Sequence, residues 1–412
     1  MTYLKKILGA GAAAAVLFGM AACGSSNSSS SSSEGGDVTL TVWGPSEDQA
    51  SSDSWLPKME AAFEKEHPEY KITWKNSVVA EGDASKTVKQ DPSAAADVYM
   101  FANDQLGTLI DAQAIGELSD DAAKQVKEQN DDSIVTSVTG TDGKLYGVPY
   151  TGNTWFMYYN KSKFTSDDIK SLDSMLTKGK VSFNLSNSWY MPAFYIGAGA
   201  TIFGADGTDA SAGIKLGDNA EAVTKYLVNL VNNANFVVDN DEGAGLAALQ
   251  NGTADVLFSG TWQANDVKEA LGDNYAAAQL PEFTTEAGTF QMKSFSGSKA
   301  VGYNPNSKSP KLAAQFAAYL GSTEAQKQHF EMRSIVPTDK SLASTVSSDP
   351  AAVAQMDTIA NTSTLQSTLA AMSDFWDPAK TFGTALVNKE ITLDNAAQKT
   401  QDWADQYASL SK

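Results

Sequence analysis

Cysteine, histidine and arginine are almost missing from this 412-residue chain, which has one cysteine, two histidines and a single arginine, Arg333. One cysteine cannot form a disulfide within the chain. The histidines, His67 and His329, lie far apart in helical surroundings, and we interpret both as ordinary helix residues. The sequence has no glycine-rich phosphate loop of the Walker type and no Gly-x-Ser-x-Gly nucleophile elbow. It therefore gives no support for a metal cluster, a phosphate loop of this type or a nucleophile elbow.

Positive charge is also scarce. The chain has 30 lysine and arginine residues against 49 aspartates and glutamates, which gives a formal net charge of −19 at pH 7. A chain this acidic is a poor partner for nucleic acid or for an anionic membrane surface, because like charges repel. A small anion is a less suitable ligand for the same reason. Beyond its N-terminal segment, the chain is long enough to form two domains.

The N-terminal residues are typical of an export signal. Lys5 and Lys6 precede an apolar stretch over residues 7–20 that is too short for a membrane-spanning helix. Met20-Ala21-Ala22-Cys23 resembles a lipobox, at which a bacterial lipoprotein is cleaved and lipidated on its cysteine. From their composition, the Ser/Gly-rich residues 24–36 are predicted to form a flexible tether with a reach of about 20 Å. We predict a lipid anchor on Cys23; the alternative is a small residue lost with the signal.

After the tether, the hydrophobic pattern alternates between strands and helices. Residues 38–43 and 70–79 alternate like strands, and residues 55–67 between them have apolar side chains at helical spacing. This order of strand, helix and strand is the unit of a parallel sheet. Residues 350–412 are predicted to be almost all helix.

The central stretch, residues 143–161, contains two strand-like runs separated by the loop Thr151-Gly152-Asn153. Pro149 belongs at an edge or a break of a sheet, because proline cannot donate a ladder hydrogen bond. The second run, residues 155–159, is rich in aromatic side chains. The pattern alone leaves two interpretations open: a buried hairpin with an aromatic core face, or a passage between two compact units at the Gly-Asn step.

Several motifs resemble, in their order, those of extracellular solute-binding proteins of carbohydrate ABC transporters, and within them the maltose- and maltodextrin-binding group. The resemblance covers nearly the whole chain after the tether. Each motif alone is weak, but their order behind a lipobox and a tether identifies the family. The matching segments are residues 40–43, 97–104, 143–161, 183–185, 251–254, 259–262 and 372–376.

The resemblance implies an α/β protein with the two-lobe, type II fold of periplasmic binding proteins, whose ligand cleft lies between lobes joined by three hinge crossings. We expect hinge closure on the ligand, with crossings near Gly152-Asn153, Ser298-Lys299 and residues 343–349. The expected divisions are a signal peptide over residues 1–22, a lipidated cysteine and tether over 23–36, a first lobe over 37–152 plus 299–345, and a second lobe over 153–298 plus 346–412.

The resemblance also implies a binding function without catalysis and without a cofactor. The protein is expected to be a monomer that captures an oligosaccharide, in the first place a malto-oligosaccharide, and delivers it to the permease subunits of an ABC importer. It would act at the extracellular face of the bacterial cell membrane, held there by its lipid anchor. Nucleic acid is not an expected partner.

Sugar chemistry indicates which side chains would form the site. Sugars present apolar C–H faces and a rim of hydroxyls, so a sugar site needs flat aromatic rings and directional polar groups. Core packing is the commoner fate of any one aromatic, but four stand at positions that match stacking platforms of the family: Phe101, Trp189, Trp262 and Trp376. The matching rim residues are Glu47, Asp48, Asn103, Asp104, Asn153, Asn187, Asp377 and Lys380.

At five of these positions the chain departs from the family pattern. Asn153 and Asn187 stand where acidic residues are usual, Phe101 replaces a tryptophan, Trp189 a tyrosine and Lys380 an arginine. Amides bind hydroxyls without charge assistance. The changes are therefore compatible with sugar binding, and they leave the identity of the sugar open.

Two other classes of function stay open at this point. A secreted glycosidase would need two carboxylates about 5–10 Å apart at the sugar, and the amides of Asn153 and Asn187 argue against it. A receptor for a metal or a small anion would share the two-lobe shape. The acidic charge, the scarce histidines and the single Arg333 argue against that receptor.

Overall fold

The computed structural model describes residues 35–91, 95–240 and 243–410. The predicted signal peptide, Cys23 and most of the tether lie outside these residues. None of the helices within the described ranges is long and apolar enough to cross a membrane.

The strands and helices alternate along the chain as the hydrophobic pattern predicts. The strands are β1 (Gly36–Gly44), β2 (Tyr70–Val78), β3 (Val98–Ala102), β4 (Val148–Gly152), β5 (Phe156–Asn160), β6 (Val181–Phe183), β7 (Thr201–Ile202), β8 (Ile214–Lys215), β9 (Phe236–Val238), β10 (Val256–Ser259), β11 (Tyr275–Ala278), β12 (Glu282–Thr285), β13 (Gly288–Gln291), β14 (Ser294–Ser296), β15 (Ser298–Tyr303) and β16 (Ser363–Leu365). The helices are α1 (Trp55–Glu66), α2 (Ala84–Gln90), α3 (Leu106–Asp111), α4 (Asp120–Gln129), α5 (Asp132–Thr136), α6 (Leu172–Lys178), α7 (Pro192–Gly197), α8 (Ala220–Val231), α9 (Ala244–Gln250), α10 (Ala264–Leu271), α11 (Pro310–Leu320), α12 (Thr323–Arg333), α13 (Ala343–Val346), α14 (Pro350–Asn361), α15 (Trp376–Val387) and α16 (Ala396–Leu410). The C-terminal region is mostly helical as predicted, and the structure adds the short strand β16.

Two five-stranded sheets organise the described part of the chain. The first sheet has the order β2-β1-β3-β15-β4, and the second has the order β11-β5-β10-β6-β9. In the first sheet β1 runs parallel to β2 and β3, whereas β15 runs antiparallel to β3 and β4. In the second, β6 runs parallel to β9 and β10, and β5 runs antiparallel to β10 and β11. We call the two halves built on these sheets the first lobe and the second lobe.

The central stretch is a passage between the sheets and not a hairpin. Strand β4 pairs with β15 in the first sheet, while β5 pairs with β10 and β11 in the second. The chain therefore crosses between Gly152 and Phe156. Pro149 lies in β4, at the edge of the first sheet, where the pairing register with β15 shifts. An edge strand at an irregularity is a place where a missing N–H group does least harm.

Two further passages connect the sheets. The chain re-enters the first sheet at Ser298, after Gly297, where an added Cβ would collide with the side chain of Asn103. Later, α12 packs against α1 and α11 of the first lobe, and α14 packs against β5 and β11 of the second. The residue boundaries given above for the two lobes stay predictions.

Each face of the first sheet has its own core, because β3 sends alternate side chains to opposite faces. Met100 joins Trp55 and Phe316 in one cluster, and Phe101 joins Leu106 in the other. The second lobe has its largest core around Trp155, Phe183 and Phe258, among other side chains.

Phe101 belongs to a core of the first lobe and not to a ligand platform, which corrects the prediction made for it. Its side chain is fully buried, and its ring lies 6.3 Å from the ring of Tyr99 in an edge-on arrangement. A Cβ added at Gly147 would lie 2.7 Å from Cζ of Phe101. The Phe101 ring thus fills the space that a side chain at position 147 would occupy. It offers no free face on which a sugar could stack.

Candidate functional site

Trp262 follows the end of β10, and the sequence there explains how its ring is placed. The ring folds back over Gly260, where any Cβ would collide with it, so a side chain at position 260 would force the ring to move. The Tyr158 hydroxyl donates a hydrogen bond of 2.9 Å to the Gly260 carbonyl, which helps to hold the turn in place. The Trp262 side chain is half-buried, and its Nε1 has no hydrogen-bond partner within the described residues.

Trp189 is brought next to Trp262 by the loop after β6. The Asn187 side chain accepts a hydrogen bond of 2.8 Å from the Trp189 backbone N–H, which shapes the turn. The indole Nε1 of Trp189 donates to the side-chain oxygen of Gln366 at 3.0 Å. The centroids of the two indole rings lie 5.9 Å apart with 33° between the ring planes. Two of the predicted platforms therefore form one tilted pair.

A charged group of the first lobe faces this pair. The ammonium nitrogen of Lys299, on β15, lies 5.3 Å from the Trp262 ring centroid. It also lies 3.1 Å from the carboxylate of Glu81, which accepts a further hydrogen bond of 2.8 Å from the Tyr150 hydroxyl. Burial, followed by the charges of Glu81 and Asp48, holds the pKa of Tyr150 well above its ordinary value. Tyr150 thus stays a neutral donor to Glu81.

Asp48 is paired inside the first lobe. Its carboxylate lies 2.9 Å from Nε2 of His329 and 3.5 Å from Nε of Arg333. The His329 ring in turn stacks on Trp55 at a centroid distance of 4.0 Å. Burial alone would raise the pKa of Asp48, but His329, Arg333 and Lys299 together hold it below the ordinary value. The neighbouring Glu47 is exposed.

Asn103 and Asp104 follow β3 and lie against the second lobe. Asn103 is fully buried, and its Nδ2 donates to the backbone carbonyl of Gln366 at 3.0 Å, while its Oδ1 has no partner in the described part of the chain. Asp104 is half-buried. Burial, opposed by a backbone hydrogen bond, raises the pKa of Asp104 to about 7.

The contacts described for the remaining predicted residues do not involve Trp189 or Trp262. Trp376 begins α15, and its ring packs edge-on against Phe295 and Phe375, at 5.8 Å and 5.1 Å. Asp377 and Lys380 are exposed on the same helix. Asn153 is almost fully buried at the first passage, where its backbone N–H donates to the Gly297 carbonyl at 2.9 Å.

Three residues of this region were not among the predicted ones: Glu81, Lys299 and Gln366. A sequence signal existed for Glu81, because it follows β2 as Glu47 follows β1, and the ends of parallel strands meet at one edge of a sheet. Gln366 had no such signal. Within the described residues, no group of three His, Cys, Asp or Glu side chains could hold a metal ion.

Two α/β lobes joined by chain passages, with paired rings on one lobe and charged groups of the other facing them, define a two-lobed binding protein. The sequence model described as "Bacterial extracellular solute-binding protein" matches residues 58–358 of this chain. The chain belongs to this family, whose members bind solutes and are not enzymes. The predicted family is thereby confirmed.

The similarity to known proteins covers most of the chain. A solved structure described as "with acarbose" is 48% identical, with a TM-score of 0.87, and the match covers 91% of this chain and 99% of that one. The galactooligosaccharide-binding protein of Bacillus subtilis (strain 168) is 28% identical over 93% of this chain and 94% of its own length. The maltooligosaccharide ABC transporter solute-binding lipoprotein of Streptococcus pneumoniae (strain ATCC BAA-255 / R6) is 26% identical over 79% of each chain. The structural match confirms the predicted fold class.

Proposed function

We propose that this protein is the substrate-binding lipoprotein of an ABC sugar importer, which captures a malto-oligosaccharide between its lobes and delivers it to the permease. The observation that carries the proposal is the tilted pair of Trp189 and Trp262 facing the Lys299–Glu81 ion pair of the first lobe. Flat aromatic faces on one side and polar groups on the other suit a molecule with apolar faces and a hydroxyl rim.

The tryptophan pair supports a ligand of more than one sugar ring. Two indole planes that differ by 33° offer two adjoining faces, which a chain that curves from one ring to the next would follow. Trp376 would supply a further platform at another ring of the sugar. Nε1 of Trp262 and Oδ1 of Asn103 are buried without a hydrogen-bond partner among the described residues, so a sugar hydroxyl that reached them would find a donor and an acceptor.

The charges near the rings support a neutral ligand. Asp48 is paired with His329 and Arg333, and Glu81 is paired with Lys299. Each carboxylate has a cationic partner within 4 Å, Arg333 for Asp48 and Lys299 for Glu81. Neither carboxylate is therefore left bare for a metal ion, and neither cation is left bare for an anion. Paired charges still accept and donate hydrogen bonds, and such bonds are stronger than those between neutral groups.

Similar proteins support the sugar class and leave its linkage to experiment. One relative is named for a maltooligosaccharide and another for a galactooligosaccharide, and the solved structure cited above is described as "with acarbose". The export and the lipid anchor on Cys23 rest on the N-terminal sequence, and they agree with the word lipoprotein in the name of the pneumococcal relative.

Titration calorimetry of the purified protein with maltotriose, maltopentaose, acarbose and a galactooligosaccharide tests the proposal, with zinc and phosphate as non-sugar controls. We expect binding of the α-linked glucans, and a smaller radius of gyration in X-ray scattering when they are bound, because the lobes close. Binding of the galactooligosaccharide alone would contradict the malto-oligosaccharide assignment. Binding of no sugar would contradict the function. Chromatography of the sugars after incubation should show no hydrolysis.

A further inference from the structure

The segment Gln366–Thr368, which follows β16, is held by both lobes. We call residues 366–368 the bridging segment. On the second-lobe side, the backbone N–H of Gln366 donates to the Ser296 carbonyl at 2.7 Å. On the first-lobe side, the Gln366 carbonyl accepts from Asn103 Nδ2 at 3.0 Å. One residue thus carries hydrogen bonds from both halves of the protein.

A second contact from the first lobe lies two residues further along. The Gly107 backbone N–H donates to the Thr368 carbonyl at 3.0 Å. A Cβ at Gly107 would come within 2.6 Å of that carbonyl oxygen, so the start of α3 lies directly against the bridging segment. Between the two contacts, the Ser367 hydroxyl donates to the Gly207 carbonyl at 2.6 Å. The bridging segment is therefore fixed along its whole length.

The side chain of Gln366 connects this segment to the tryptophan pair. Its Oε1 accepts the hydrogen bond from Trp189 Nε1, and the Gln366 residue is only 2% exposed. An indole has a single N–H donor, so this bond determines how the ring is turned about its attachment. The tilt between Trp189 and Trp262 thus depends on where Gln366 lies.

We propose that Gln366 is a positioning residue that couples docking of the first lobe to the orientation of Trp189. When Asn103 and α3 contact the bridging segment, Gln366 holds the Trp189 ring in the orientation that stacks a sugar. When the first lobe moves away, the segment loses two of its hydrogen bonds, and the ring is less restricted. The role of the Trp189 orientation in sugar stacking rests on the proposed function. The coupling between Asn103 and Trp189 does not depend on it.

The experiment labels the protein with 5-fluorotryptophan and follows the fluorine resonance of Trp189, assigned with Trp189→Phe. Four proteins are compared: the wild type, Asn103→Ala, Gln366→Met and the double variant. Met has nearly the volume of Gln and lacks the acceptor for Trp189 Nε1. Gln291→Met is the matched control. Gln291 Nε2 donates a hydrogen bond of 2.7 Å to the Leu280 carbonyl, and this contact does not involve the bridging segment.

We expect Asn103→Ala to shift or broaden the Trp189 resonance in the wild-type background and to change it no further once Gln366→Met is present. Equal effects of Asn103→Ala in both backgrounds would overturn the coupling. An unchanged Trp189 resonance in Asn103→Ala would overturn it as well. The Asn103→Ala variant leaves Gln366 in place, so an unchanged resonance in it overturns the coupling even where Gln366→Met does not fold.

Affinity provides the second measurement. Loss of the Gln366–Trp189 hydrogen bond should weaken maltopentaose binding roughly fivefold to tenfold, with Gln291→Met close to the wild type. Unchanged affinity in a folded Gln366→Met variant would show that the ring orientation does not matter for binding and would overturn the positioning role. If the wild-type protein binds no sugar, the proposed function fails, whereas the fluorine measurement still decides the coupling.

Discussion

Lys299 of the first sheet lies over the Trp262 ring of the second lobe, with its ammonium nitrogen 5.3 Å from the ring centroid. The contact has the geometry of a cation–π interaction. The same ammonium group forms the ion pair with Glu81, whose side chain is only 10% exposed. A single cation thus satisfies a nearly buried carboxylate of one lobe and an aromatic face of the other.

Replacement of Lys299 by methionine should therefore destabilise the protein. The change keeps the apolar stem and leaves the charge of Glu81 with the Tyr150 hydroxyl as its hydrogen-bond donor. We expect the free energy of unfolding to fall by about 1–3 kcal/mol, the usual cost of a buried polar group that loses its partner. Urea denaturation measures the change.

The double variant Lys299→Met/Glu81→Gln is the control, since it removes both charges together. It should recover part of the lost stability, because no uncompensated charge remains. If Lys299→Met is as stable as the wild type, the ion pair contributes nothing and the argument from Glu81 burial is wrong.

Loss of Trp262 or Trp189 should weaken sugar binding without unfolding the protein. Both side chains are half-buried, and removal of an aromatic anchor costs on the order of 1–3 kcal/mol of binding, or roughly 5-fold to 150-fold in affinity. Titration calorimetry of Trp262→Ala and Trp189→Ala with maltotriose measures the effect. Melting temperatures taken alongside show whether the variants are folded.

Two core rings supply the contrast. Phe101→Ala and Trp155→Ala should lower the free energy of unfolding by about 3–5 kcal/mol, because both side chains are fully buried. A folded Trp262→Ala variant with wild-type affinity would remove Trp262 from the site. A Phe101→Ala variant with wild-type stability and weaker binding would restore the platform role that its burial argues against.

Glu60 on α1 should make stability depend on pH. Burial, partly offset by a 2.8 Å hydrogen bond from Asn76, raises the pKa of Glu60 to about 7. Because the unfolded pKa is about 4.3, the folded state holds the proton more tightly, and the free energy of unfolding decreases as the pH rises from about 4 to 7. Glu60→Gln should therefore stabilise the protein at pH 8 by about 1–3 kcal/mol and change little at pH 4.

Urea denaturation at the two pH values measures this difference, with Glu66→Gln as the matched control. Glu66 lies on the same helix and is exposed, so Glu66→Gln should change the free energy of unfolding by a similar, small amount at both pH values. An equal effect of Glu60→Gln at pH 4 and pH 8 would show that Glu60 has no raised pKa in the folded protein.

Replacement of Cys23 by alanine should release the protein from membranes or block its maturation. The expectation rests on Met20-Ala21-Ala22-Cys23 and on the absence of any other cysteine in the sequence. Cell fractionation and the mass of the processed chain test it. A Cys23→Ala protein that is processed and attached like the wild type would exclude lipidation at this residue.

Much of the architecture could be predicted from the sequence because local patterns determine it. The strand–helix–strand order indicated parallel pairing. The passage at the Gly-Asn step followed from the family resemblance, because the pattern alone also allowed a buried hairpin. The strand ends also led to Trp189 and Trp262, whose side chains are half-buried in the structure; their role as sugar platforms stays a prediction. These features depend on neighbours within a few residues, which the sequence shows directly.

Phe101 and the polar partners could not be predicted in the same way. Residues 98–102 form an apolar run, which is typical of a strand covered on both faces, but the motif match outweighed that signal. The Lys299–Glu81 pair joins residues 218 positions apart, and Gln366 meets Asn103 across 263 positions. The first pair depends on how distant strands of one lobe meet and the second on how the two lobes meet. Single polar residues in ordinary strands and loops reveal neither.

Gly147 and Phe101 have a consequence for how this protein can change over time. Because a Cβ at position 147 would lie 2.7 Å from the Phe101 ring, alanine at 147 requires a smaller residue at 101. A smaller residue at 101 alone leaves a cavity. Either step alone is costly, so the two positions should exchange together, and homologues that carry a side chain at 147 should lack a large aromatic ring at 101.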